Sequence, residues 1–194
     1  MPGSTPIYGF PYPLSTDLVA NYPAVGLELA TDVETALAAA SVIKQVVFQS
    51  KTDTFSASVT GNGGESGDFI SASITPASTA NKVLVIVSAN VSGTESGLFL
   101  RTYRGSTRIY QGDTASNRQR VSASTRAFEQ ATPMSVSYAV LDSPAASTAT
   151  TYSVRISHQA TATQTVYLNR GTTDSDTAPT PRTASSLILI EVKG

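Results

Sequence analysis

The sequence predicts an all-β fold: an antiparallel β-sandwich of jelly-roll-like form, preceded by an extended arm and one short helix. Three observations lead there. From residue 42 onward, apolar residues alternate with Ser, Thr and other polar residues at a period of two, and Gly or Pro stands between the runs. One stretch, residues 24–40, shows helical spacing instead. Before it, residues 1–23 combine Pro2, Pro6, Pro11, Pro13 and Pro23 with Tyr8, Phe10, Tyr12 and Tyr22. The chain thus divides into an arm with a helix, residues 1–40, and a sandwich domain, residues 41–194.

Prolines fix φ and remove donors, so residues 1–23 are excluded from a regular sheet interior or a helix and are expected to be extended. Aromatic side chains interleaved with prolines bury apolar area at little entropic cost. Such an arm suits ordering against a partner, with Tyr8, Phe10, Tyr12 and Tyr22 as the anchoring candidates. In residues 24–40, Val25, Leu29, Val33, Ala36, Leu37 and Ala40 recur at three- and four-residue spacing. Pro23 stands at or just before the start, where a missing N–H costs little, and Glu28 lies in the early turns, where an anion suits the helix dipole. A helix of this length is marginal alone in water. Its stripe must bury, either against the chain's own β-domain or in a short bundle of symmetry mates.

The strands follow in order. Residues 45–49 and 55–59 read as a strand pair around Lys51 and Asp53. TGNGGESG, residues 60–67, is a turn or loop. Residues 69–75 form a strand stopped by Pro76. Residues 82–91 are the strongest strand: Val83, Val85, Val87, Ala89 and Val91 share one face and Leu84 and Ile86 the other, so it belongs in the centre of a two-layer fold. Residues 98–103 and 107–111 flank Gly105 as a hairpin. Residues 119–128 make a more polar strand, residues 134–141 and 152–157 alternate again, and residues 165–169 are a short strand. Residues 172–182 read as a long exposed loop, and residues 187–192 as a closing buried strand. About ten short strands separated by turn signals describe an antiparallel sandwich, of which the jelly roll is one version.

Composition narrows the function. Charged residues are 14% of the chain and the formal net charge is −1, so no basic excess points to nucleic acid or an anionic membrane. There is no Cys, which excludes disulfides and thiolate metal sites. No run approaches the roughly 20 apolar residues of a membrane span, and no basic region followed by an apolar core suggests a cleaved leader. Ser and Thr are roughly a quarter of the residues, yet the apolar periodicity is too regular for disorder.

No catalytic, cofactor or metal constellation stands out. His158 is the sole histidine; in phase with Tyr152, Val154 and Ile156, it reads as an edge or interface residue. GNGGESG lacks the Gly-Lys-Ser/Thr ending of a phosphate loop and precedes a strand. Asp113, Glu129 and Asp142 are scattered carboxylates with no spacing that pairs them for glycoside hydrolysis. Asp174 and Asp176 lack the Gly turn and terminal Glu of a calcium loop. The segment RTYRGSTRIYQGDTASN is different. It gathers Arg101, Tyr103, Arg104, Arg108 and Tyr110 around Gly turns, and Tyr and Arg are favoured contact residues that suit sugars and acidic polysaccharides; the alternative is a hairpin with a solvated face or a subunit interface.

The segment TPIYGFPYPLSTDLVANYPAVGLELATDVETAL resembles the N-termini of bacteriophage minor tail and tail-fibre proteins, which open with a Tyr-x-x-x-Tyr-Pro stretch, a Thr-Asp and a helix with an Ala-x-Asp-Val-like core. Tyr8, Tyr12, Pro13, Thr16, Asp17 and residues 30–33 hold those places. SASITPASTANKVLVIVSANVSG, RGSTRIYQGD and ASSLILIEVKG resemble a phage fibre head domain. The resemblance implies a virion structural protein, usually trimeric, anchored by its N-terminus and bearing a fibre-head β-domain. Val25, Leu29, Val33 and Leu37 would then serve the trimer helix. The long shaft repeats of full-length fibres are missing, which leaves open a short tail fibre, a baseplate or tail-tip component, or a capsid-surface protein. The expected function is non-enzymatic: a receptor-binding protein engaging host surface glycan, with itself and other virion proteins as partners. The alternative is a capsid decoration or head fibre with a purely structural role; a polysaccharide depolymerase is disfavoured by the missing carboxylate pair.

Overall fold

The computed structural model describes residues 3–16, 18–94, 97–126 and 132–194. Pro2, Asp17 and Glu129, singled out above, and the end of the strand expected over residues 119–128 lie outside the described residues. The chain divides into two compact units, Met1–Val42 and Ile43–Gly194.

In the first unit the arm is not extended but folds back on itself. Strands β1 (Gly3–Ser4) and β2 (Pro11–Tyr12) pair antiparallel. The turn between them is closed by the Thr5 N–H on Phe10 O (2.9 Å), the Gly9 N–H on Thr5 O (3.0 Å) and the Phe10 N–H on Thr5 Oγ1 (3.0 Å). Gly9 takes φ +71°, where a side chain would strain the turn. The prolines permit this because a two-stranded ribbon is all edge, and an edge needs no donor on its outer side. The Tyr12 ring covers Gly3 so closely that a Cβ there would meet it at 2.5 Å.

A 3₁₀ turn, Val19–Asn21, leads into helix α1 (Tyr22–Ala40), with Pro23 in the first turn. The helix packs on β2. Val25 is buried and Val33 and Ala36 are half-buried, while Leu37 and, on the opposite side, Leu27 remain exposed.

The second unit is all antiparallel β. Its strands are β3 (Ile43–Lys51), β4 (Phe55–Val59), β5 (Ile70–Ile74), β6 (Lys82–Gly93), β7 (Gly97–Arg104), β8 (Thr107–Ile109), β9 (Ala123–Arg126), β10 (Met134–Asp142), β11 (Thr150–His158), β12 (Gln164–Leu168) and β13 (Ser185–Val192). The expected pairing of residues 45–49 with 55–59 does not occur: β3 pairs with β13 and β4 with β12. Both β12 and β13 lie along one flank of β6, and β10 along the other. Thus β3 and β4 are two halves of one broken strand, and β12 and β13 two halves of its neighbour. A tight link of three residues continues the first, whereas a loop of residues 169–184 interrupts the second. The polar strand expected over residues 119–128 is shorter, covering only β9 among the described residues. Together β8 and β9 form a third broken strand, because both pair with the same flank of β7.

With the broken strands merged, one sheet reads β3/β4, β12/β13, β6, β10, and the other reads β5, β11, β7, β8/β9. That strand order is the jelly roll. The core lies between the sheets. Val83, Val85, Val87, Ala89 and Val91 of β6, with Leu187 and Leu189 of β13, face Ile70, Ala72, Ile74, Leu98, Leu100, Tyr152, Val154 and Ile156. Every second residue of β6 and β13 is buried, as the period-two pattern requires.

Candidate functional site

The second sheet carries a charged cluster on its outer face. The ladder sets Arg101 of β7 opposite Arg155 of β11, and Tyr103 opposite Arg108 of β8. Like charges directly opposed on a sheet repel, so this face needs an anion. Glu65 supplies it from the glycine-rich loop of residues 60–68. That loop runs along β11, held by the Ser66 N–H on Ile156 O (2.8 Å), the Ile156 N–H on Ser66 Oγ (2.9 Å) and the Phe69 N–H on Val154 O (3.1 Å). Gly63, at φ +95°, turns the chain over Arg101.

The Glu65 carboxylate is enclosed. Arg101 Nη1 donates to Oε1 at 2.5 Å, Arg108 Nη2 donates to the same oxygen, Tyr103 Oη donates to Oε2, and Arg155 Nη1 stands 3.6 Å from Oε2. Burial opposes its ionisation, but the hydrogen bonds from Tyr103 and Arg101 and the charges of Arg101 and Arg108 outweigh burial and hold the carboxyl below its ordinary value. The Tyr103 ring is flanked by the guanidinium groups of Arg155 (4.2 Å to the centroid) and Arg108 (5.9 Å), and Arg108 Nε donates to Tyr103 Oη at 2.7 Å. Arg155 Nε in turn bonds Asp68 at 2.6 Å.

Arg101 is 3% exposed and sits opposite the break between β8 and β9, so that on this flank, unlike the β11 flank, no described strand residue pairs with it. Gln119, on the loop that fills the break, accepts from Arg101 Nη2 at 2.6 Å and donates to His158 O at 3.3 Å. Arg101 Nη1 also donates to Gly63 O at 3.0 Å, while its Nε is buried with no partner among the described residues.

Of the predicted contact residues, the fold therefore unites Arg101, Tyr103 and Arg108, and it sends Arg104 and Tyr110 elsewhere. Arg104 Nη1 holds both oxygens of Asp142 at 2.8 Å, and Asp142 also accepts from Tyr152 Oη at 2.7 Å. Burial and the Asp142 carboxylate push the Tyr152 hydroxyl above its ordinary range. Tyr110 stacks on Tyr138 with centroids 5.9 Å apart. Tyr138 bridges the sheets through Thr102 (2.8 Å) and, being buried, is pushed up to about 12. Glu65 and Arg155, the residues that complete the cluster, were not singled out from the sequence. Arg155 stands in the outward phase of its strand, and Glu65 is the one acid inside GNGGESG, but neither spacing shows that they meet.

The remaining candidates have structural duties. His158 is not at an edge or interface of this chain but buried, with Nε2 3.0 Å from Val59 O and Nδ1 accepting from the Ala160 N–H at 3.2 Å. Asp174 binds Arg170 (3.2 Å) and Arg182 (2.8 Å), whereas Asp113 and Asp176 are exposed. No set of His, Asp or Glu side chains that could hold a metal ion gathers among the described residues, and among them no helix is long and apolar enough to cross a membrane.

In the first unit, Tyr8 and Phe10 stack at 5.6 Å and line a groove of about 220 Å³ with Val33, Ala36, Leu37 and Ala40. Tyr8 is 72% exposed; Tyr12 and Tyr22 are exposed to a lesser degree, and Tyr22 belongs to α1. The helix candidates divide in the same way: Val25 and Val33 turn inward, whereas Leu29 and Leu37 are exposed. No model of a known protein family matches the chain, and no curated protein matches it.

Proposed function

We propose that the protein is a bacteriophage virion structural protein, a short trimeric tail fibre or receptor-binding protein. Its first unit attaches it to the particle and its jelly-roll unit contacts the host surface. The observation that carries this reading is the unspent apolar surface of the first unit. Ile7, Tyr8, Leu18, Val19, Leu27 and Leu37 are each at least two-thirds exposed in a single chain. Surface of that kind on a small unit marks a protein–protein contact. The resemblance of its sequence to phage tail N-termini names the kind of assembly. The jelly roll, a frame found in viral and sugar-binding domains, is compatible with the second role and specifies nothing further. No catalytic step and no cofactor enter the proposal. A trimer would multiply weak surface contacts by avidity.

A reconstruction of the intact particle tests the reading directly. The chain is expected at the tail, baseplate or capsid surface with residues 3–40 ordered against neighbouring virion proteins; its absence from the particle would sink the proposal. Purified protein at saturating concentration is further expected to block adsorption.

One feature favours the purely structural alternative, a capsid decoration or head fibre. The outer face of the first sheet sets Phe48, Ile188 and Ile86 in one row and Val46, Ile190, Leu84 and Leu141 in the next. Phe48, Val46 and Leu141 are more than half exposed. An apolar sheet face suits burial against protein better than contact with sugar. Particle location together with a failure to block adsorption would select this alternative.

A further inference from the structure

We propose that Arg101, Arg108, Arg155 and Tyr103 form a carboxylate subsite for an acidic saccharide, and that Glu65 is a built-in occupant which the sugar's carboxylate displaces. The choice of a saccharide as the carrier rests on the receptor-binding reading above; the subsite itself rests on the cluster's geometry.

The donors are arranged for a planar, two-oxygen anion. One carboxylate oxygen receives Arg101 and Arg108, and the other receives Tyr103 with Arg155 beside it. Such paired coordination suits a carboxylate well. Among the described residues the cluster is also richer in cations than in anions: Arg101, Arg108 and Arg155 pair there with Glu65 and Asp68. Arg101 is almost wholly buried, and its Nε remains unpartnered among the described residues. A buried guanidinium nitrogen with no bond calls for a partner that the described side chains do not supply.

Exchange is mechanically simple. The loop's own bonds, from Asn62 to Ala160 just past β11 and from Ser66 and Phe69 to β11 itself, do not involve the Glu65 side chain. The side chain can therefore rotate into water while the loop stays in place. Access is open as well. Arg108 and Arg155 are 40% and 31% exposed at their side chains. An added Cβ at Gly67 would meet nothing within 4 Å, so the loop leaves bare backbone beside the cluster. One carboxylate replaces another, so the charge of the cradle is unchanged. Glu65 is tethered next to the arginines, and so competes at an effective concentration of about millimolar or above. Binding to the native protein is accordingly weak for one sugar, and becomes useful only when several subunits bind together.

The test is a calorimetric or NMR titration of the full chain with sodium D-glucuronate, with D-glucose and N-acetyl-L-glutamate as comparators. Glucuronate is expected to bind the native protein weakly and Glu65→Gln about tenfold more tightly. Adding Arg108→Ala to Glu65→Gln should remove that gain, and D-glucose should bind neither protein. Should Glu65→Gln fold poorly, Arg108→Ala alone, at a half-exposed position, is expected to abolish the weak native binding. A glucuronate affinity indifferent to both substitutions overturns the subsite. Equal or tighter binding of N-acetyl-L-glutamate overturns the saccharide assignment in favour of an acidic protein segment. These results are separable from the receptor reading. Protein that blocks adsorption yet ignores glucuronate loses only the subsite; protein that binds glucuronate yet is absent from the particle loses only the phage role.

Discussion

Asn169 holds the fold together at the point where two strands of one sheet are broken. It is fully buried, at φ +61°, a conformation Asn tolerates better than most residues. Its Nδ2 donates to Lys51 O (2.8 Å) and Asp53 O (2.9 Å), its Oδ1 accepts from Ser185 Oγ (2.7 Å), and its backbone N–H reaches Asn90 O (2.9 Å). One side chain thereby replaces the ladder bonds missing between β3 and β4 and between β12 and β13. Asn169→Ala would leave those carbonyls unpaired, at about 1–3 kcal/mol for each buried group. Chemical denaturation should show a clear loss of stability, and Asn169→Gly, which relieves the φ but not the hydrogen bonds, should recover only a small part of it. Glu65 gives a pH-dependent counterpart. Its folded carboxyl is held below the ordinary value of 4.5, so the unfolded chain takes up the proton first as pH falls. The stabilisation is complete above the unfolded value and disappears as pH drops through the folded one. Urea midpoints of the native protein and Glu65→Gln are expected to differ at neutral pH and to converge as pH falls below the ordinary carboxylate range. An unchanging gap would mean that the Glu65 charge does not contribute.

Strand β13 shows how alternation converts into energy. Leu187 and Leu189 are fully buried between the sheets, while Ile188 and Ile190 lie half-buried on the outer face. Leu189→Ala should cost about 2–5 kcal/mol through lost burial and the cavity left behind. Val46→Ala, on the outer face of β3 and 57% exposed, should change the stability of an isolated chain by no more than about 0.5 kcal/mol. If Val46→Ala instead proved costly, with a midpoint that depends on protein concentration, the outer face would be buried in an assembly. Helix α1 behaves differently from these strands. The hairpin formed by β1 and β2 takes part of its stripe, Val25 above all, and its length alone would leave it marginal in water. Gly3→Val should therefore lower helicity without unfolding the β-unit, because any side chain at that position collides with the Tyr12 ring that packs the hairpin.

The two units make separate demands on the molecule. The β-unit has its own core, so a chain lacking residues 1–42 is expected to keep cooperative unfolding and a β-type circular dichroism spectrum. The first unit leaves Ile7, Tyr8, Leu18, Val19, Leu27 and Leu37 exposed, and the proposed trimer gives that surface a destination; solution mass should correspond to three chains and fall towards one on Leu27→Glu with Leu37→Glu. A native chain that stays monomeric at high concentration would count against the trimer. Much of this was legible from residue order. Period-two alternation marked the strands because successive side chains in a strand point to opposite faces. Three- and four-residue spacing marked the helix, and the doubly apolar run of residues 82–91 marked the central strand β6. Partnership was not legible. Residues 45–59 looked like a hairpin because a short polar link between two strands usually makes one; here the strand continues past its break because Asn169, far along the chain, satisfies the carbonyls at the gap. The arm looked extended because its prolines exclude it from sheet interiors, but they do not exclude a ribbon that is all edge. The arginine cradle depends on the register of β7 against β11 and on a loop laid across them. By itself, then, the residue order determined which segments are strand, helix or turn and which faces are apolar, because those follow from local geometry. Only the tertiary structure decided which strands pair and which charges meet, because those depend on contacts between residues distant in the chain.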